Sequence, residues 1–193
     1  MGLFTTNPVF DMLKKDHKKV EGLFDEFEAA EDARSKTRII QETLRELEVH
    51  AQLEEEVFYP ALRAARPTAI ALDKSVPQHN EMRESIAKLR TMAADTPAYD
   101  DTVMELMREV IHHVADEETI LLPMAEDVLA ADLRKLGTQM NLRRLQLVAH
   151  RPTEIAINSV GAFPILTFSV AGLATLAVLT ISRTLSRTPR GMR

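Results

Sequence analysis

Four histidines and two glutamates form two copies of one pattern. His17 is followed 33 residues later by His50, with Glu54 four positions beyond. His79 is followed 34 residues later by His113, with Glu117 four positions beyond. A second glutamate adjoins each (Glu55, Glu118), and a proline lies ten positions after each second histidine (Pro60, Pro123). Residues four apart on a helix share a face, so each His-x-x-x-Glu can present an imidazole and a carboxylate together. Facing helices that do this are how a bundle builds a metal site. One such pair says little in a glutamate-rich helix; two, each preceded by another histidine at nearly the same distance, point to a two-metal centre. Imidazole and carboxylate without sulfur suit iron, manganese or zinc. A carboxylate bridge together with an oxo or hydroxo bridge would complete the coordination of two ions with so few protein ligands.

The elements that must carry these residues are helices. Asn7-Pro8 is a helix start, and Leu13, His17, Val20, Phe24 and Phe27 continue at helical spacing towards Glu31. Ser35 can cap a second helix with Ile40, Leu44, Leu47, His50, Glu54, Val57 and Ala61 inward. Pro60 should bend that helix or loosen a turn. The third runs from Ser75 to Ala94, or from near Ala69 with Pro77 as a kink, and carries His79, Met82, Ile86 and Leu89. Thr96-Pro97 opens the fourth, with Val103, Leu106, Val110, His113, Glu117, Ile120 and Met124 inward. Short turns favour an all-α, up-down-up-down four-helix bundle over residues 8–130. Residues 131–154 read as an accessory helix (Leu133 to Ala149) and linker. His112 and His150 read as surface residues, Glu55, Glu56, Asp116 and Glu118 as a solvated face (Glu118 with a ligand role as the alternative), and the methionines at 82, 104, 107 and 124 as core filler.

Composition narrows the function classes. Ala, Leu, Glu, Arg and Lys dominate the first 150 residues, as in helical proteins. The formal net charge of −5 leaves no electrostatic footprint for nucleic acid, and zero cysteines exclude thiolate sites and disulfides. No signal-peptide pattern opens the chain, which implies a cytoplasmic iron domain. Residues 155–182 contain 22 consecutive uncharged residues, 160–181, long enough to span a hydrocarbon core of roughly 30 Å as a helix. A membrane anchor is the favoured reading, with a buried hairpin helix in a soluble cytoplasmic protein as the alternative. A basic tail, 183–193, follows. Arginines on both sides leave orientation open.

At these residues the chain resembles the hemerythrin-like domain, the branch with two His-His-Glu cation-binding repeats. DHKKVEGLFDEFE, HAQLEEEVFYPAL, QHNEMRESIAKLR and HVADEETILLP match its four helix motifs, over about residues 8–130. The resemblance implies a non-haem diiron centre held by His17, His50, Glu54, His79, His113 and Glu117, bridged by the two glutamates, that binds oxygen or reacts with it. One position departs: oxygen-carrying hemerythrins have a second histidine four residues after the third-helix one, where this chain has Arg83. Arg83 could pair with an acidic residue, hold an anion, or stand solvated at the bundle edge. Three protein ligands per iron weaken the case for simple oxygen carriage. They favour binding of oxygen-derived ligands in oxygen, redox or iron sensing. The alternatives are a diiron enzyme acting on peroxide or nitric oxide, and a membrane-attached structural bundle with vestigial ligands.

The anchor reading has a direct test. Deleting residues 155–193 should move the protein from the membrane fraction to the soluble one with its metal retained. Full-length chain that stays soluble after high-speed centrifugation without detergent would rule the anchor out.

Overall fold

In a computed structural model the chain divides into two compact units, Met1–Val148 and Ala149–Arg193, and residues 7–149 are the ones the structure describes. Among them every regular element is helical: α1 (Pro8–Ala29), α2 (Ala33–Leu53), α3 (Tyr59–Ala65), α4 (Leu72–Leu89), α5 (Pro97–Asp116), α6 (Leu122–Leu129) and α7 (Leu133–Ala149). No helix among these residues is long and apolar enough to cross a membrane. The candidate span 160–181, the tail 183–193 and His150 lie outside the described residues.

The helix starts follow local chemistry. Asn7 accepts hydrogen bonds from the Val9 and Phe10 amides, with Pro8 in the first turn. Asp32, not Ser35, caps α2 by accepting from the Ser35 amide; both residue types cap well, and the one three positions earlier takes the role. Thr96 caps α5, followed by Pro97. Pro77 sits inside α4 without ending it.

Two prolines shape the long helices beside the site. Proline has no N–H, and its ring crowds the carbonyl four residues back. Between α2 and α3 the chain widens into a π turn over Glu54–Phe58, and the Tyr59 amide donates to the Glu54 carbonyl five residues back. Between α5 and α6 the same happens over Glu117–Leu121, with Leu122 donating to Glu117. Each extra residue advances the helical phase by about 100°. The regular stripe drawn through Ala61, Ile120 and Met124 is therefore shifted: Tyr59, Leu62, Leu121, Leu122 and Ala125 are buried, Ala61 and Met124 are half-buried against the same cluster, and Ile120 is 44% exposed. Met104, expected in the core, is also at the surface.

Two apolar clusters flank the histidines. One holds Val9, Phe10 and Leu13 of α1 with Leu53, Phe58, Leu62, Leu72, Leu121 and Leu122, and extends to Leu136, Met140 and Leu147 of α7. The other holds Val20, Phe24 and Phe27 with Ile40, Leu44, Leu47, Met82, Ile86, Leu106 and Val110. Moving along α1, α2, α4 and α5, the chain passes between clusters in alternating directions: Leu13 to Val20, Leu47 to Leu53, Leu72 to Met82, Val110 to Leu121. That alternation is the up-down-up-down topology expected from the sequence, and each crossing passes one of the four histidines. α7 docks through Gly137, where an added Cβ would lie 2.9 Å from Cγ of Pro8.

Leu106 is fully buried in the second cluster. Leu106→Ala should cost about 2–5 kcal/mol of stability, read as a lower urea midpoint; a change under 1 kcal/mol would mean that the cluster repacks freely.

Candidate metal centre

His17, His50, Glu54, His79, His113 and Glu117 are all buried in the layer between the clusters. Four elements deliver the histidines: α1, α2, α4 and α5. The glutamates open the two π turns. Their ligand atoms fall into two groups, each with every atom within 4.8 Å of the others: His17, His50, Glu54 and Glu117, and Glu54, His79 and His113. The geometry is less symmetric than the sequence repeat, because Glu54 belongs to both groups and Glu117 to one.

All four imidazoles face inward through Nε2. His17 Nε2 lies 3.0 Å from Glu117 and His50 Nε2 3.3 Å from Glu54. His79 Nε2 lies 3.2 Å from Glu54, and His113 Nε2 3.6 Å from it. The opposite ring nitrogen of each is held from behind. His17 Nδ1 lies 2.7 Å from Glu118, His79 Nδ1 2.8 Å from Glu55, His50 Nδ1 3.5 Å from Asp16, and His113 Nδ1 3.2 Å from the Gln78 carbonyl oxygen. These partners are acceptors, so each Nδ1–H donates and each Nε2 lone pair is left for the interior. A metal-binding histidine is oriented in just this way.

The donor set fits a cation. Nε2 of His17 and of His50, Oε1 of Glu54 and both carboxylate oxygens of Glu117 are buried without a hydrogen-bond partner. His79 and His113 set two Nε2 atoms 3.2 Å apart. Lone pairs and carboxylate oxygens converging in an apolar layer are stabilised by positive charge between them. Nitrogen and oxygen donors without sulfur suit iron, manganese or zinc.

Electrostatics agrees. Burial and the charge of Glu54 push the Glu117 carboxyl well above its usual range. Burial acts on Glu54 too, but the charge of His50 and the close approach of Glu117, His113 and His79 outweigh it and hold Glu54 well below. Burial lowers His17 and His113, which keeps their lone pairs free. His50 is raised despite burial, because Glu54 and Asp16 stabilise its charged form.

Several of these residues escaped the sequence reading. Glu55 and Glu118 are not a mere solvated face, since they support His79 and His17. Asp116 accepts from Gln78, which in turn supports His113. Arg83 takes the acidic-partner option and donates to Glu55 at 2.7 Å. Tyr59 reaches the site: its hydroxyl donates to Glu54 at 3.0 Å and lies 3.5 Å from His79 Nε2. Burial, Glu54 and Glu117 raise its pKa, so it stays a protonated phenol. On a regular helix Tyr59 would face away from His50; the π turn brings it in, and Pro60 was the available signal. Asp16 and Arg144 lie off the apolar stripes and had none. His112 is exposed, as expected.

A cavity of about 20 Å³ adjoins His17 and His50 of the first group and His113 of the second, and is also lined by Asp16 and by apolar side chains including Val20, Leu47 and Met82. A water needs roughly 10–15 Å³ on this measure, so the space suits one very small molecule.

The family model described as Hemerythrin HHE cation binding domain matches residues 9–147. An uncharacterised protein of Mycobacterium tuberculosis is 27% identical over 141 residues, covering 72% of this chain and 86% of that one. A DNA nickase of Nostoc sp. is 26% identical over 122 residues, covering 63% of this chain, which spans about a third (34%) of that longer protein. An HHE cation binding domain-containing protein of Mycobacterium kansasii, solved by crystallography, superposes with a TM-score of 0.64 at 23% identity, covering 79% of this chain and 91% of that one, and shares its fold. With the buried His/Glu layer and a match across most of its length, the chain belongs to the hemerythrin HHE cation binding domain family.

Proposed function

We propose that the chain is a non-haem diiron protein that binds small oxygen-derived ligands, dioxygen, peroxide or nitric oxide, in oxygen, redox or iron sensing. The observation that carries this reading is the pair of donor groups sharing Glu54, with unpartnered inward nitrogens and carboxylate oxygens. His17 and His50 would hold one ion and His79 and His113 the other, with Glu54 and Glu117 between them. Iron held there supplies one-electron chemistry towards oxygen-derived species. The chain's own residues do the rest. Glu118, Asp16, Glu55 and Gln78 fix the imidazole orientations, and the small cavity beside His17, His50 and His113 limits a guest there to a very small molecule. The Tyr59 hydroxyl holds a proton 3.0 Å from Glu54.

A specific observation favours an enzyme acting on peroxide or nitric oxide as the second reading. The Tyr59 phenol, kept protonated beside Glu54 and His79, is a fixed hydrogen-bond donor that would orient a bound oxygen atom there. Oxygen evolution on adding peroxide to the iron-loaded protein would favour the enzyme. An optical spectrum that changes with dioxygen or nitric oxide, without turnover, would favour the sensor.

Purified protein should hold two irons per chain. His50→Ala or His113→Ala should lower both iron content and melting temperature, because metal binding is coupled to folding. A variant with its full metal complement would remove that histidine from the ligand set. Glu118→Ala and Glu55→Ala should keep the ligands but weaken iron affinity by about 10-fold; affinity equal to wild type in both would return these residues to a solvated face.

A further inference from the structure

α7 lies outside the four long helices, yet two adjacent arginines tie it to the first copy of the repeat. Arg143 donates to Glu56 in the first π turn, two residues from Glu54, with its Nη2 bond at 3.0 Å. Arg144 donates to Asp16, which is buried and supports His50. An unpaired carboxylate buried there would be costly, and Arg144 compensates it. Asp16 thus links α7 to one imidazole of the site.

Asp16 also stands between two spaces. On one side is the small cavity against His17 and His50. On the other is an open cleft of about 530 Å³ lined by Pro8, Met12, Lys15, Lys19, Asn141 and Arg144. Asp16 contributes to both walls. The Asp16–Arg144 ion pair therefore lies between the cleft and the small cavity beside His17 and His50. α7 brings Arg144 to this position by packing Gly137 on Pro8 and Met140 into the core.

We propose that α7 is a latch on the metal centre. Arg144, acting through Asp16, positions His50 and shuts the way from the cleft to the cavity, so that the ion held by His17 and His50 exchanges with solvent only when α7 lifts. The second donor group is supported by Glu55 and Gln78, from the bundle itself, and lies beyond this control. This inference rests on the diiron reading above; Asp16 and Arg144 are positioning residues, not ligands.

The test uses full-length, iron-loaded protein, reduced and challenged with a ferrous chelator. In Arg144→Ala about half the iron should leave about 10-fold faster or more, on the scale of losses from removing such supporting groups. The other half should leave at the wild-type rate, and Arg144→Lys should restore slow release. Gly137→Leu, which touches no site residue but forces α7 from Pro8, should give the same split. Unchanged release in Arg144→Ala, or equal acceleration of both halves, would overturn the latch. Should Gly137→Leu fail to fold, Arg144→Ala decides alone. Wild-type protein that binds no iron would sink the diiron reading separately. The positioning role is then read from histidine side-chain resonances of the metal-free chain: Arg144→Ala should shift His50 Nδ1 and leave His79 Nδ1 in place, and an unmoved His50 would overturn it.

Discussion

Two carboxylates buried away from bulk solvent face one another in the middle of this bundle. Glu54 and Glu117 are fully buried, and the charge of one pushes the other well above its usual range. Everything nearby follows from that repulsion. Four imidazoles surround the pair through Nε2, a tyrosine donates to one member, and the apolar clusters stop on either side of the layer. A helix bundle filled only with leucine at these positions would gain stability. Keeping the charges is the cost of a site that holds cations, and it makes the stability of the fold depend on what sits between the glutamates.

The repeat in the sequence does not produce a symmetric centre. Where the first copy has Tyr59 before its proline, the second has Leu122, so a single phenol reaches the layer, to Glu54 and near His79. Glu54 reaches three histidines, at 3.2 to 3.6 Å. Glu117 makes one close approach, to His17, and lies 3.9 Å or more from His50 and His113. The two donor groups therefore differ, with the Tyr59 hydroxyl near His79 in one and no phenol near His17 or His50 in the other.

Much of this was legible from spacing. The 3.6-residue rhythm of apolar side chains located the helices, and the interruptions of that rhythm by His17, His50, His79, His113, Glu54 and Glu117 located the site, because buried polar residues rarely go uncompensated. The reading ran out where geometry departs from a regular helix. Pro60 and Pro123 announced a disturbance, but its form, one inserted residue, decides whether Tyr59 or Ala61 faces inward. The rest of the gap lies in long-range pairing: nothing in the local pattern around Asp16 announces a partner 128 residues away in Arg144. The supporting roles of Glu55 and Glu118 were hidden for a related reason. They sit off the stripe by about 100° from their neighbours and meet histidines that other helices deliver.

The two apolar clusters differ in how much of the chain each needs. The one beyond His17 draws on Val20 to Val110, while the other joins Val9 to residues as late as Leu147. A chain emerging from the ribosome N-terminus first can thus assemble the former with the last third still unmade. The start of α1 is completed later: its Val9, Phe10 and Leu13 share a cluster with Leu53 to Leu72 but also with Leu121 to Leu147, more than a hundred residues downstream. Glu117 is also delivered late, after all four histidines have emerged, so the ligand layer is completed between an early half-core and a late one.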